Sequence, residues 1–201
     1  MKSATAKKVL EIASRQGVLR PRDLDSHGIP RKYLNLLHHA GLLSRVGRGM
    51  YTSPQANVSP NAGLMQAAKW VPHGVICLLS ALQFHAIGTQ SPFEVWMAIG
   101  RRSWRPRLKY PPLRIVRFSA AALTEGVEEH KIDNVPVKVY SPAKTVADCF
   151  KYRNKVGLDV AIEAFRDCLQ NKKCTHEQLW QYARVCRVTN VMRPYLEGAA
   201  L

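Results

Sequence analysis

The sequence predicts an α+β protein in which a small N-terminal module precedes a larger mixed α/β domain that ends in a helical bundle. In the first part of the chain, apolar residues recur at the spacing of a helix, and a turn that contains two glycines follows. The stretch "TSPQANVSPNAG" at 52–63 then interrupts every apolar period. Strand and helix patterns follow it. We therefore divide the chain into an N-terminal domain at 1–55, a linker at 56–63 and a C-terminal domain at 64–201.

The charge of the chain indicates a polyanionic partner. Lys and Arg number 30 against 14 Asp and Glu, a formal net charge of +16. Ten of these cations lie in residues 1–55, against three acids. No apolar run is long enough to span a membrane, and the N-terminus lacks the apolar core of a signal peptide. We expect a cytoplasmic protein without a membrane partner.

Two short helices are predicted at the start of the chain. Residues 6–13 carry apolar side chains at helical spacing, which predicts the first helix. Pro21 suits the first position of a second helix, Leu24 would point inward, and Gly28 would end it. A third helix is predicted to begin after Pro30.

The third helix, at 31–40, separates into an apolar and a polar side when its residues are placed about 100° apart. The side predicted to face inward consists of Tyr33, Leu34, Leu36, Leu37 and Ala40. The side predicted to face outward consists of Arg31, Lys32, Asn35, His38 and His39. Cations and an Asn that can hydrogen-bond to adenine suit the outer side to the major groove of DNA.

A β-hairpin is predicted after this helix. In "LLSRVGRGMYTS" two short strand-like runs flank Gly47 and Gly49, with Arg48 at the tip of the turn. Three helices followed by a basic hairpin predict a winged helix-turn-helix, with a recognition helix in the major groove and a wing on phosphate. The alternative is a solvated basic helix in an unrelated small domain, which leaves the arginine in the turn unexplained.

Three stretches, "GVLRPRDLDSHGIPRKYLNLLHHAGLLSRVGRGMY", "VICLLSALQFHAIGTQSP" and "VYSPAKTVADCFKYR", resemble the AbiEi family of antitoxins in their order and spacing. The resemblance implies a DNA-binding transcriptional autorepressor. It also implies an antitoxin that counteracts a nucleotidyltransferase-like toxin encoded beside it, as in type IV systems, without a stable complex being required. Recognition-helix and wing roles would then fall on the residues of the matching elements: Arg31, Lys32, Asn35, His38, His39, Arg45 and Arg48.

A second basic segment lies in the C-terminal domain, between predicted strands at 93–99 and 113–118. It places four arginines around Trp104, namely Arg101, Arg102, Arg105 and Arg107. Cations repel one another without a counter-anion, and an aromatic side chain can stack on a base. We interpret the segment as a second nucleic-acid contact, with a solvated loop as the alternative. Operators of such repressors are often inverted repeats, so the C-terminal domain could also support a dimer on DNA.

The remaining elements of the C-terminal domain are predicted from turns and caps. Asp133-Asn134 would join two strands in a hairpin. Ser141-Pro142 would begin a helix as cap and first residue, and Thr175 with Gln178 forms a capping box. Asp148 lies one helical turn from both Lys144 and Lys151, so a salt link on the helix surface is expected. The apolar helical positions of three cysteines, Cys149, Cys168 and Cys186, indicate core residues.

Two other classes of function remain as alternatives. Glu129 and Lys131 form an E-x-K fragment like that of metal-dependent endonucleases, with Glu94 as a possible upstream acid. Mg²⁺-dependent cleavage that is lost on Glu129→Ala would identify this class. A module that masks a toxin directly would co-purify with it. Because no P-loop, GxSxG or HExxH motif is present, we expect no enzymatic activity, metal or cofactor.

Overall fold

The structure is a computed structural model that describes residues 4–16, 18–47, 49–53, 61–106 and 111–198. It confirms a mixed α+β protein, with helices at the N-terminus and a mixed sheet in the C-terminal part. Within the described ranges, no helix is both long enough and apolar enough to cross a lipid bilayer.

The N-terminal module, residues 4–53, contains three helical segments around its own core. These are α1 (Ala4–Gln16), a 3₁₀ helix (Pro21–His27) and α2 (Lys32–His39). Leu24 is completely buried, and Gly28 ends the 3₁₀ helix with a left-handed φ of 63°. The predicted starts and stops are therefore confirmed, although the second helix winds as a 3₁₀ helix.

The predicted hairpin follows α2. Strands β1 (Ser44–Gly47) and β2 (Met50–Thr52) pair antiparallel, and Gly49 adopts a left-handed φ of 68°. Tyr51 also exchanges two backbone hydrogen bonds with Leu19, with N···O distances of 2.8 and 2.9 Å. The hairpin is thus joined to the segment that precedes the 3₁₀ helix.

The predicted linker ends earlier than the sequence suggested. Helix α3 begins at Ala62 and runs to Trp70, so the last two residues of the 56–63 stretch are helical, while 54–60 lie outside the described residues. The side chain of Lys69 donates to the carbonyl of Val18 and lies 3.3 Å from Oδ2 of Asp23. Helix α3 therefore contacts the N-terminal module directly.

The C-terminal part is built on a five-stranded mixed sheet in the order β5-β4-β3-β7-β6. Its strands are β3 (Val75–Ile76), β4 (Val95–Gly100), β5 (Leu113–Phe118), β6 (Val127–Ile132) and β7 (Val135–Tyr140). Strands β6 and β7 pair antiparallel across Asp133-Asn134, whose φ values are 45° and 64°. The four predicted strands and the turn at 133–134 are confirmed, whereas the short strand β3 was not predicted.

Helices cover both faces of the sheet. The remaining ones are α4 (Leu78–Phe84), α5 (Ala120–Thr124), α6 (Pro142–Lys151), α7 (Arg153–Val156), α8 (Leu158–Gln170), α9 (His176–Cys186) and α10 (Thr189–Gly198). Along β4 the buried side chains alternate: Trp96 joins the core under α6, α8 and α9, while Met97 joins the core under α3. A strand buried on both faces explains its unbroken apolar run.

The two predicted helix caps have different outcomes. Thr175 and Gln178 form the expected capping box, with hydrogen bonds of 2.9 and 3.2 Å between side chains and backbone amides. Ser141 precedes α6, and Pro142 is its first residue, but the Ser141 hydroxyl makes no capping hydrogen bond. Pro142 fixes the backbone angle at this helix start without help from that hydroxyl.

The predicted surface link between Lys144 and Asp148 is instead a buried ion pair. Their side chains are 0% and 1% exposed, and Nζ lies 2.6 Å from Oδ2. The Lys144 ammonium also lies 4.2 Å from the ring centroid of Tyr140, and the Cys186 thiol donates to Oδ1 of Asp148 at 3.2 Å. Helix α9 packs over this side of α6, so the pair is enclosed. Cys149, Cys168 and Cys186 are buried, as predicted.

His85 lies at the end of α4, where its ring is partly buried. Its Nε2 donates to the carbonyl of Tyr140 at 2.7 Å, and Phe84 packs against the ring. Burial lowers the pKa of His85 below its ordinary value of 6.5, although the Tyr140 carbonyl opposes this shift.

The lowered pKa of His85 gives a testable pH dependence. Below about pH 6.5 the unfolded chain binds a proton that the folded protein resists, so acidification should lower the free energy of unfolding. We expect the wild type to lose more stability than His85→Gln between about pH 7 and pH 5 in urea titrations. Parallel pH profiles for the two proteins would contradict this assignment.

Candidate nucleic-acid interface

Helix α2 carries a solvent-exposed row of four side chains. Its buried residues are Leu34 and Leu37, which pack into the core of the N-terminal module. The exposed positions fall at the i, i+3, i+4, i+7 spacing of one helical face: Lys32, Asn35, Leu36 and His39. We call this row the α2 face.

Two residues of α2, and Ala40 directly after it, lie on a different side from the one predicted. Leu36 was expected inside but is 51% exposed, and Ala40 is exposed as well. His38 was expected outside, yet its Nδ1 donates to the carbonyl of Leu43 at 3.0 Å and its ring packs beside Tyr51. Leu34 and Leu37 are buried in the core and Tyr33 packs against it only in part, so the apolar side of this short helix is narrower than the helical projection predicted.

Asn35 is held in place by the hairpin. The Tyr51 hydroxyl donates to Oδ1 of Asn35 at 2.6 Å. Since this carbonyl oxygen has a second lone pair, the amide retains both an acceptor and donors for a ligand. The orientation of the Asn35 side chain thus depends on β2, which lies 16 residues later in the chain.

Arg31 is engaged by an acid of the 3₁₀ helix. Its Nε and Nη2 donate to the two carboxylate oxygens of Asp25 at 3.0 and 2.5 Å. The bidentate contact lowers the pKa of Asp25 and raises that of Arg31. The two side chains are 63% and 48% exposed. Because exposed ion pairs contribute little stability, a phosphate could compete with Asp25 for this guanidinium.

The hairpin contributes one further described cation. Arg45 is exposed on β1, opposite Tyr51 in the strand register. Arg48, predicted at the tip of the turn, lies outside the described residues.

The second basic segment leaves β4 in a turn. Its described arginines, Arg101, Arg102 and Arg105, are exposed, and Trp104 is 81% exposed. Arg107 lies outside the described residues. The exposed tryptophan meets the requirement for a stacking platform beside cations.

Arg117 of β5 organises this turn. Its Nη1 donates to the carbonyls of Gly100, Arg101 and Ser103 at 3.2, 2.5 and 3.0 Å. Sequence reasoning missed this residue, because its partners lie 14 to 17 positions earlier in the chain. The alternation of charged and apolar residues in "LRIVRF" identified the strand but not this contact.

The residues proposed for a metal-dependent endonuclease do not converge. Glu129 lies on β6 at one edge of the sheet, and Glu94 precedes β4, with β3 and β7 between the two strands. Three strand spacings amount to about 14 Å. The Glu94 carboxylate instead lies 3.2 Å from Nη1 of Arg114. In the part of the chain that the structure describes, no group of three His, Cys, Asp or Glu could hold a metal ion.

The N-terminal module also matches a known family. Residues 7–54 fit the family model described as "Transcriptional regulator, AbiEi antitoxin". Over these residues the chain is similar to AbiEi antitoxins and transcriptional regulators. The resemblance noted from the sequence is thereby confirmed, and an AbiEi match supports a role in a toxin–antitoxin system. The matched segment includes all of α2 and the hairpin.

A second similarity, of fold, covers most of the chain. The chain is similar to the crystal structure of the RV2827C protein from Mycobacterium tuberculosis, with a TM-score of 0.63 and 14% sequence identity. The similarity covers 90% of this chain and 72% of that chain. At this identity it is a similarity of fold. No curated protein matches the sequence.

Proposed function

We propose that the N-terminal module is a winged helix-turn-helix that binds operator DNA. Helix α2 would enter the major groove, and the β1–β2 hairpin would be the wing. The observation that carries this proposal is the α2 face, which presents a cation, an amide, an imidazole and one apolar side chain to solvent. Base edges in the major groove offer partners for each of these groups.

Different roles follow for the individual residues. Asn35 suits adenine, Lys32 suits guanine or phosphate, His39 suits a base edge such as that of guanine, and Leu36 suits the methyl group of thymine. Arg31 would exchange its partner Asp25 for a phosphate or a base. Arg45 and Arg48 of the wing would contact the backbone, whereas His38 would position α2 from inside the module.

We further propose that the protein represses its own operon and acts as the antitoxin of a nucleotidyltransferase-like toxin encoded beside it. The N-terminal domain at 1–55 would supply operator binding. The C-terminal domain at 64–201, which ends in helices α6 to α10, would supply antitoxicity without enzymatic activity. Two half-sites of an inverted repeat would be filled by a dimer.

The proposal is tested with the full chain in two assays. In the first, the DNA upstream of its operon drives a reporter, which the protein should repress. In the second, the neighbouring toxin gene is expressed from an independent promoter, and the protein should restore growth. Failure of repression together with equal affinity for operator and random duplex would refute the DNA-binding role. Stable co-purification with the toxin would favour direct masking.

The second basic segment should contribute to DNA binding through phosphate contacts. We expect replacement of its four arginines by serine to flatten the dependence of log K on log salt by about 3 to 4 units, because each neutralised phosphate contributes a slope of about −0.9. The substituted residues are Arg101, Arg102, Arg105 and Arg107.

A control with the same loss of charge separates local contacts from net charge. It replaces four exposed cations elsewhere in the C-terminal part by serine: Lys131, Arg166, Lys172 and Arg184. Salt titrations of operator binding would compare the two variants. Equal slopes would mean that the 101–107 segment is an ordinary solvated loop.

A further inference from the structure

A small cleft in the C-terminal part lies where four segments of the chain meet. It has a volume of about 340 Å³ and is formed by the turn after β4, the end of β5, and the carboxyl ends of α6 and α9. Four cations line it: Arg101, Arg117, Lys151 and Arg187. We call it the cation cleft. None of the sequence patterns placed these four residues together.

Internal hydrogen bonds fix the geometry of the cation cleft. Arg117 is occupied by the carbonyls of the β4 turn, which holds the backbone of Arg101 at the rim. The Tyr152 hydroxyl donates to the carbonyl of Arg117 at 3.1 Å, which joins the end of α6 to the end of β5. These hydrogen bonds join the segments that form the cleft and fix their relative positions.

Asp148, the acidic residue in the cation cleft, does not neutralise the positive charges at the rim of the cleft. Asp148 is the only carboxylate among the lining residues that the structure describes, and its charge is already matched by Lys144 at 2.6 Å. Arg101, Lys151 and Arg187 are exposed, and no salt bridge to a described acid involves them. The carboxyl ends of two helices offset roughly one of these three charges, so roughly two remain.

Arg187 adopts a conformation that is unfavourable for its side chain. It follows α9 with a left-handed φ of 58°, at a helix end where glycine is the usual residue. A non-glycine residue in this region costs conformational energy, and such strain is concentrated at functional sites. Here the strained position carries a guanidinium at the rim of the cleft.

We propose that the cation cleft binds a phosphate group, held by Arg101, Lys151 and Arg187. Two guanidinium groups and an ammonium provide hydrogen-bond donors and charge for the oxygens of a phosphate. The phosphate belongs either to nucleic acid or to a free small compound. This site is independent of α2, although it shares Arg101 with the proposed second nucleic-acid contact.

The probe is pyrophosphate, titrated by calorimetry into the full chain at low salt. We expect saturable binding that weakens about tenfold or more in Arg101→Ala and in Arg187→Gly, since each removes a charge-assisted contact. Arg187→Gly also relieves the left-handed strain, so its melting temperature should match or exceed that of the wild type. Loss of binding in that variant cannot then be attributed to unfolding.

Arg184→Ala is the matched control, because Arg184 is exposed on α9 one turn before Arg187 and does not line the cleft. If pyrophosphate were bound only by non-specific attraction to the formal charge of +16, the loss of any one cation would weaken binding equally in all three variants. Equal weakening, or no saturable binding by the wild type, would overturn the proposal. Binding that survives in Arg184→Ala alone would support it.

A competition experiment distinguishes the two sources of the phosphate. If the cation cleft takes a backbone phosphate, random-sequence duplex DNA should displace pyrophosphate from the wild type. If it takes a free phosphate compound, the two should bind together. Double substitution of Asn35 and His39 on α2 should leave pyrophosphate binding unchanged, so failure of the operator proposal and failure of this site are separate results.

Discussion

Replacing Lys144 by methionine should lower the free energy of unfolding by about 3 to 5 kcal/mol, because it leaves Asp148 buried without its cation. Nζ of Lys144 lies 2.6 Å from the carboxylate and 5.0 Å from the ring centroid of Phe118, so the substitution removes the ion pair and its aromatic contacts. Burial already raises the pKa of Asp148, and Lys144 opposes this shift. Urea unfolding of the full chain measures the effect.

Two further variants show whether the cost arises from the unpaired charge. The double variant Lys144→Met/Asp148→Leu removes both charges and should recover a large part of the lost stability, since apolar groups of similar volume often replace a buried pair at little cost. Lys131→Gln removes an exposed lysine of β6 and should change stability by less than about 0.5 kcal/mol. A Lys144→Met protein as stable as Lys131→Gln would contradict the enclosed pair.

The double variant Asn35→Ala/His39→Ala should lose operator affinity by about 10²-fold or more, because each base contact contributes about 1 to 3 kcal/mol. Neither substitution changes the formal charge at neutral pH. Affinity for random duplex, which depends on phosphate contacts, should therefore remain close to that of the wild type. The predicted result is a loss of specificity with little loss of non-specific binding.

His27→Ala provides the comparison for this experiment, because His27 is exposed in the 3₁₀ helix of the same module and has no proposed DNA contact. Titrations of both variants against operator and random duplex at one salt concentration give the specificity ratios. A ratio that is unchanged in Asn35→Ala/His39→Ala would mean that the α2 face does not read sequence. Equal losses in both variants would indicate a change in the fold of the module.

Local patterns predicted most elements correctly, because their signals lie within a few residues of each other. Pro21 and Gly28 bound the 3₁₀ helix, and the Asp133-Asn134 turn joins β6 and β7. The basic residues of α2 and of the turn after β4 were predicted from helical spacing and from their position between strands, and their role in DNA binding stays a prediction. Periodicity was less successful where it had to decide which side of a short helix is buried, as Leu36 and His38 demonstrate.

The sequence by itself determined the order of helices and strands, the basic character of the N-terminal module and its AbiEi resemblance, since these depend on backbone propensity, charge and local spacing. Only the tertiary structure decided that Lys144 and Asp148 are buried, because α9 encloses a pair that an isolated helix would expose. It also decided that Arg101, Lys151 and Arg187 share one cleft. These contacts join residues that are far apart in the sequence. They depend on how the helices and strands pack, which the spacing of apolar residues within one segment does not predict.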